Sequence, residues 1–135
     1  MNQVVGCGID IEELNRFKKF IPTHSDISEL TNLIYSDDEI ASNRQVFPHL
    51  TFPLAFSCKE AFFKAFGVSW TNSPISWKDI ELIFRDSADL HQYSIRLGGH
   101  ARELFERMNC SRFEASIEIN DDFVIIQVLL FSENS

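Results

Sequence analysis

The sequence predicts an α+β fold, a single domain over residues 1–135 with an antiparallel sheet packed against helices. Three observations carry that expectation. Two C-terminal stretches, Phe113 to Ile119 and Phe123 to Phe131, are strand-like and are joined by the turn formers Asn120-Asp121-Asp122. The first half instead places apolar residues at helical spacing. Finally, 13 phenylalanines among 135 residues supply one real core, and no repeat, low-complexity run or linker divides the chain.

The elements follow in order. Val4 to Ile11 is β-branched and loosely alternating, hence a strand; Gly6 and Gly8 within it imply close approach by a neighbour or a ligand. Glu12 to Phe20 carries Leu14, Phe17 and Phe20 at helical spacing, and Pro22 ends that helix. Asp10 therefore falls at a strand-to-helix junction. Thr23 to Ile34 reads as a short helix with Ile27, Leu30, Leu33 and Ile34 inward. Ser36-Asp37-Asp38-Glu39 is a capping box, so another short helix runs to about Gln45.

The stretch Phe56 to Gly67, F-S-C-K-E-A-F-F-K-A-F-G, reads as a largely buried helix stopped by glycine, with Pro53 in its first turn. Ser69 to Pro74 is a polar loop. Ile75 to Phe84 is a strand with Ile80, Leu82 and Phe84 on one face, and Leu90 to Leu97 is its successor. Gly98-Gly99 precedes an amphipathic helix over His100 to Met108. Phe123 to Phe131 is nearly all apolar and is expected at the centre of the sheet. Glu133 to Ser135 is a frayed tail.

Composition excludes several functions. A net charge of −8 argues against a nonspecific nucleic-acid binder. No run reaches transmembrane length, and the first residues lack the pattern of a signal peptide, so no membrane role and a cytoplasmic location are expected. Cys7, Cys58 and Cys110 fit no C-x-x-C pattern and read as free thiols of a reducing compartment. His24, His49, His91 and His100 lack zinc spacing. No P-loop, dinucleotide fingerprint or nucleophile elbow is present.

Chemistry is concentrated in two stretches. Glu60 and Lys64 stand one helical turn apart, and Ser57 joins their stripe. On helix pattern alone, that pair reads first as an exposed salt bridge. Asp10 and Glu12, two apart at a strand end, face one side. If Asp10, Glu12 and Glu60 converge beside Lys64, they suit a hard cation such as Mg²⁺ and a phosphate-bearing substrate. Whether residue 60 meets residue 10 is a matter of tertiary structure.

The two stretches together, G-C-G-I-D-I-E-E-L near the start and F-S-C-K-E-A-F-F-K-A-F-G about fifty residues on, resemble the 4'-phosphopantetheinyl transferases. The length and the W-K-D-I-E-L segment are most similar to the holo-acyl-carrier-protein synthase type. The resemblance implies transfer of the phosphopantetheine arm of coenzyme A to a serine of an acyl or peptidyl carrier protein. It implies Mg²⁺ held by Asp10 and Glu60, with Glu12 matching a third acidic ligand. Glu60 and Lys64 are the implied catalytic residues, and Lys59 and Lys64 the implied coenzyme A contacts. It further implies a homo-oligomer, by resemblance a trimer, and a basic docking surface for which Arg16, Lys18 and Lys19 are candidates.

The chain departs from the family pattern at Ala55, where a basic residue is common. It departs again at Ser116-Ile117-Glu118-Ile119, where S-x-S-H or S-x-T-H is common, and at Gly67-Val68-Ser69, where G-x-G is common. These departures leave open an alternative: a non-catalytic relative acting as a binding or assembly module with an altered nucleotide site.

Overall fold

One long helix lies between two antiparallel sheets in the computed structural model, which describes residues 2–18 and 29–133. The larger sheet has the order β1-β5-β4, formed by β1 (Asn2–Glu13), β4 (Cys110–Ile119) and β5 (Phe123–Glu133). The smaller pairs β2 (Ile80–Phe84) with β3 (Tyr93–Leu97). The helices are α1 (Leu14–Phe17), α2 (Glu29–Ile34), α3 (Asp37–Gln45), α4 (Pro48–Phe66) and α5 (Gly99–Arg107), with a 3₁₀ turn over Trp77–Asp79. No helix of the described residues is long and apolar enough to cross a membrane.

The apolar run of β5 sits at the centre of its sheet, as its composition predicts. Val124, Ile126, Val128 and Leu130 point at the helix and are fully buried or nearly so. The Asn120 side chain closes the β4–β5 turn by accepting from the Asp122 and Phe123 amides. The capping box also forms: Ser36 Oγ accepts from the Glu39 amide, and Glu39 Oε1 accepts from the Ser36 amide.

Helix α4 packs on β1, β5 and β2. It starts at Pro48, so Pro53 lies inside the helix and not in its first turn. Its end is the predicted one. Gly67 adopts φ 74°, and the amides of Gly67 and Val68 bond back to the carbonyls of Lys64 and Phe63. Contact with β1 is unusually close. A Cβ on Gly8 would lie 1.9 Å from the Ala61 carbonyl oxygen, and one on Gly6 would lie 2.3 Å from that of Ala65. The neighbour implied by those glycines is therefore this helix.

Several expected boundaries shift. Helix α1 is described only over Leu14–Phe17, and residues 19–28, with Lys19, Phe20, Pro22 and Ile27, lie outside the described set. Within α2, Leu30 and Leu33 are exposed and not inward; Thr31 takes the buried position. Residues 77–79 form a 3₁₀ turn with its own Ser76–Asp79 capping box, which shortens the expected strand to Ile80–Phe84.

Only one face of the larger sheet carries α4. Ile117, Ile126 and Asp10 share that face, whereas Glu118, Ile125 and Ile11 share the opposite one in paired register. On the open face Ile9 is 48% and Ile11 55% exposed, with Val4 and Val5 exposed nearby.

Candidate active site

The stripe Ser57–Glu60–Lys64 of α4 faces the C-terminal end of β1. Ser57 Oγ donates to the Asp10 carbonyl at 3.2 Å. Lys64 Nζ donates to the Ile9 carbonyl at 2.9 Å and to Asp10 Oδ1 at 3.1 Å. The ion pair of Lys64 thus crosses to the strand. This replaces the reading of Glu60 and Lys64 as a salt bridge running along the helix.

Glu12 joins the cluster from the same side of β1. Its pKa is pushed up to about 8 by burial first, then by its proximity to Asp10 and by the charges of Asp10 and Glu60, against the pull of Lys64. Glu60 is also raised, by burial and then by the Asp10 charge, with Lys64 again opposing. Glu12 and Glu60 are therefore hard to ionise in the presence of their neighbours.

Asp10 Oδ2 is buried and has no hydrogen-bond donor. An orphaned carboxylate oxygen beside two further carboxyls fits a hard cation, whose preferred ligands are oxygens. The set is not a closed cage: among the described residues no three His, Cys, Asp or Glu side chains gather tightly enough to ligate a metal directly.

Beside Glu12 opens a cleft of about 710 Å³. Phe17, Ile34, Tyr35 and Phe56 give it apolar walls, and Arg16 and Lys18 line it as well. Both basic residues are exposed. Sequence reasoning missed Tyr35, whose burial and charge coupling to Glu12 follow from packing; its hydroxyl donates to the Phe52 carbonyl at 2.8 Å.

Lys59 is the clear correction. Its side chain is 0% exposed, and Nζ donates to Glu39 Oε1 at 2.6 Å, to the Trp77 carbonyl at 2.9 Å and to the Ile80 carbonyl. An ammonium enclosed in this way touches no cofactor, so its expected contact with coenzyme A is withdrawn. Residues one apart on a helix point about 100° apart, and this one points to the opposite sheet. Glu118, on the open face of β4, is likewise remote from its own chain's acidic cluster, across the sheet. Position 55 is an alanine wholly inside the core.

Known proteins match this chain along most of its length. The family model described as the 4'-phosphopantetheinyl transferase superfamily matches residues 6–125. A holo-[acyl-carrier-protein] synthase of Geobacter metallireducens is 31% identical over 128 residues, covering 94% of this chain and 97% of that protein. Among solved structures, the holo-[acyl-carrier-protein] synthase of Neisseria meningitidis superposes with a TM-score of 0.77 at 22% identity, covering 95% of this chain and 98% of that one. The holo-(acyl-carrier-protein) synthase of Bacillus anthracis in complex with CoA (3',5'-ADP) gives 0.71 at 24% identity, covering 96% and 98%.

Proposed function

Because the chain belongs to the 4'-phosphopantetheinyl transferase superfamily, we propose that it moves the phosphopantetheine arm of coenzyme A to a serine hydroxyl of an acyl or peptidyl carrier protein. The observation that supports the reading is the Lys64–Asp10 ion pair, which joins the helix bearing Glu60 to the strand bearing Glu12, two segments about fifty residues apart in the sequence.

Asp10, Glu12 and Glu60 would hold Mg²⁺, which when bound neutralises charge on the pyrophosphate. The chain's own residues supply the rest. The serine oxygen attacks the phosphorus that bears the pantetheine arm, and the bond from that phosphorus to adenosine 3',5'-bisphosphate breaks. The serine proton passes to the Glu60 carboxylate. Lys64, about half exposed, is free to turn its ammonium from Asp10 toward the transferred phosphoryl group. Lys64 is then the lysine that contacts coenzyme A.

The carrier proteins of this reaction are acidic, and so is this chain. Arg16 and Lys18, beside the apolar cleft, supply local positive charge for docking. The uncovered sheet face with Ile9 and Ile11 suits burial against further copies of the chain, in keeping with a homotrimer. The location we propose is the cytoplasm.

The test is incubation with coenzyme A, Mg²⁺ and several apo carrier proteins, followed by intact mass spectrometry of the carrier. The expected result is the mass gain of one phosphopantetheine. A second reading, the non-catalytic module, draws on Ala55 and Glu118. No gain on any carrier, with no coenzyme A binding by calorimetry, would favour it.

A further inference from the structure

Helix α4 carries polar anchors on two sides. On one, Ser57 and Lys64 bond to β1. On the other, Lys59 reaches Glu39 of α3, Trp77 of the 3₁₀ turn and Ile80 of β2. Glu39 in turn accepts from the Leu82 amide at 3.1 Å through Oε2 and from the Ser36 amide at 3.1 Å through Oε1. The Lys59 ammonium also lies 5.7 Å from the centre of the Tyr35 ring, and Tyr35 lines the cleft beside Glu12. Every acceptor of Lys59 is thus fixed to a different element.

A buried ion pair is a poor source of stability, because desolvation offsets most of the attraction. What apolar contacts do not supply is direction. Three acceptors at hydrogen-bond range tie this side of α4 to α3, to the 3₁₀ turn and to β2 at once. Glu60 is the next residue along the helix, so any slip at Lys59 is passed to it directly.

We propose that the Lys59–Glu39 pair is a positioning device that sets the rotation of α4 and so aims Glu60 at Asp10 and Glu12. The inference rests on the reading of those carboxyls as a cation-binding set. It gives Lys59 and Glu39 a part in the chemistry without contact with any substrate.

The experiment compares the full-length wild type with the double variant Lys59→Met, Glu39→Leu. Mn²⁺ binding is followed by calorimetry, thermal unfolding is recorded, and kcat is separated from the KM for coenzyme A. The double variant also leaves the Ser36 and Leu82 amides without their acceptor, so its Tm is expected to fall by several degrees, and binding and rates are measured at temperatures where it remains folded. Its Mn²⁺ affinity is expected to fall about tenfold and kcat about a hundredfold, as for small misplacements of a reacting group, with KM within about twofold. A well-folded double variant with wild-type Mn²⁺ affinity and kcat would overturn the inference, as would losses that only track the unfolded fraction. Should the double variant not fold, Glu39→Gln serves: it keeps the shape and loosens the hold, and equal Mn²⁺ affinity there refutes the proposal. A wild type that binds no Mn²⁺ overturns the reading of the site, and the inference with it; binding by wild type and variant alike overturns the inference alone.

Discussion

Gly8→Ala tests the link between the strand and the helix that carry the site. A Cβ at this position meets the Ala61 carbonyl oxygen at 1.9 Å and the Ala65 amide nitrogen at 2.7 Å. Both are backbone atoms of a buried helix, so no side chain can swing aside. Ordinary contact begins at 3.4 Å, so β1 and α4 must part by roughly 1.5 Å. Overpacking of this kind costs about 1–3 kcal/mol, and unyielding backbone on the far side puts the cost near about 3 kcal/mol. For a chain of this length that lowers Tm by about 10–15 °C. Asp10 is two residues further along the same face of the strand. Separation therefore also draws it from Glu60 and Lys64, and displacement of about 1 Å costs about a hundredfold in rate. Gly98→Ala is the control, because nothing lies within 4 Å of its Cβ position; its stability should change by less than about 1 kcal/mol. The assays are thermal unfolding and the rate of carrier modification, corrected for folded fraction. A Gly8→Ala protein with unchanged Tm and rate would refute the close packing and its consequence.

Other outcomes follow from the same geometry. Asp10→Ala and Glu60→Ala should each lower transfer by at least about a hundredfold while the circular dichroism spectrum is kept, as removal of a group that stabilises transition-state charge does; retained activity in either removes the metal assignment. Lys64→Met should lower kcat about a hundredfold or more in the same assay. Chelation should abolish transfer, and added Mg²⁺ or Mn²⁺ should restore it. Glu39 titrates above its unfolded value of 4.5, chiefly through burial. Its contribution to stability is thus complete below about pH 4.5 and is lost as pH rises through the native value. Glu39→Gln should flatten that part of the plot of Tm against pH; an unaltered slope would contradict the assignment. Ile9→Glu, on the uncovered sheet face, should lower the solution mass of any oligomer in sedimentation.

Much of this arrangement is legible in the residues. The central strand, the Ser36 capping box and the Gly67 stop rest on local rules, and each forms as the local pattern requires. Two prolines five apart defeated the start of α4: either suits a first turn, and only packing selects Pro48. Leu30 and Leu33 look inward by periodicity yet are exposed, and Leu30 lines the cleft beside Glu12 instead. At the site, the stripe 57–60–64 follows from helix geometry, but its partner strand does not. The misassignment of Lys59 has the same root. The family motif implies its contact with coenzyme A, whereas its burial is decided by α3 and β2, about twenty residues away on either side.

The most direct measurement is an anomalous difference map from crystals grown with Mn²⁺ and coenzyme A. The account predicts one strong peak between the carboxyls of residues 10 and 60, with Glu12 at its edge and the diphosphate on its open side. A peak elsewhere, or a coenzyme bound with those two carboxyls turned apart, would contradict it.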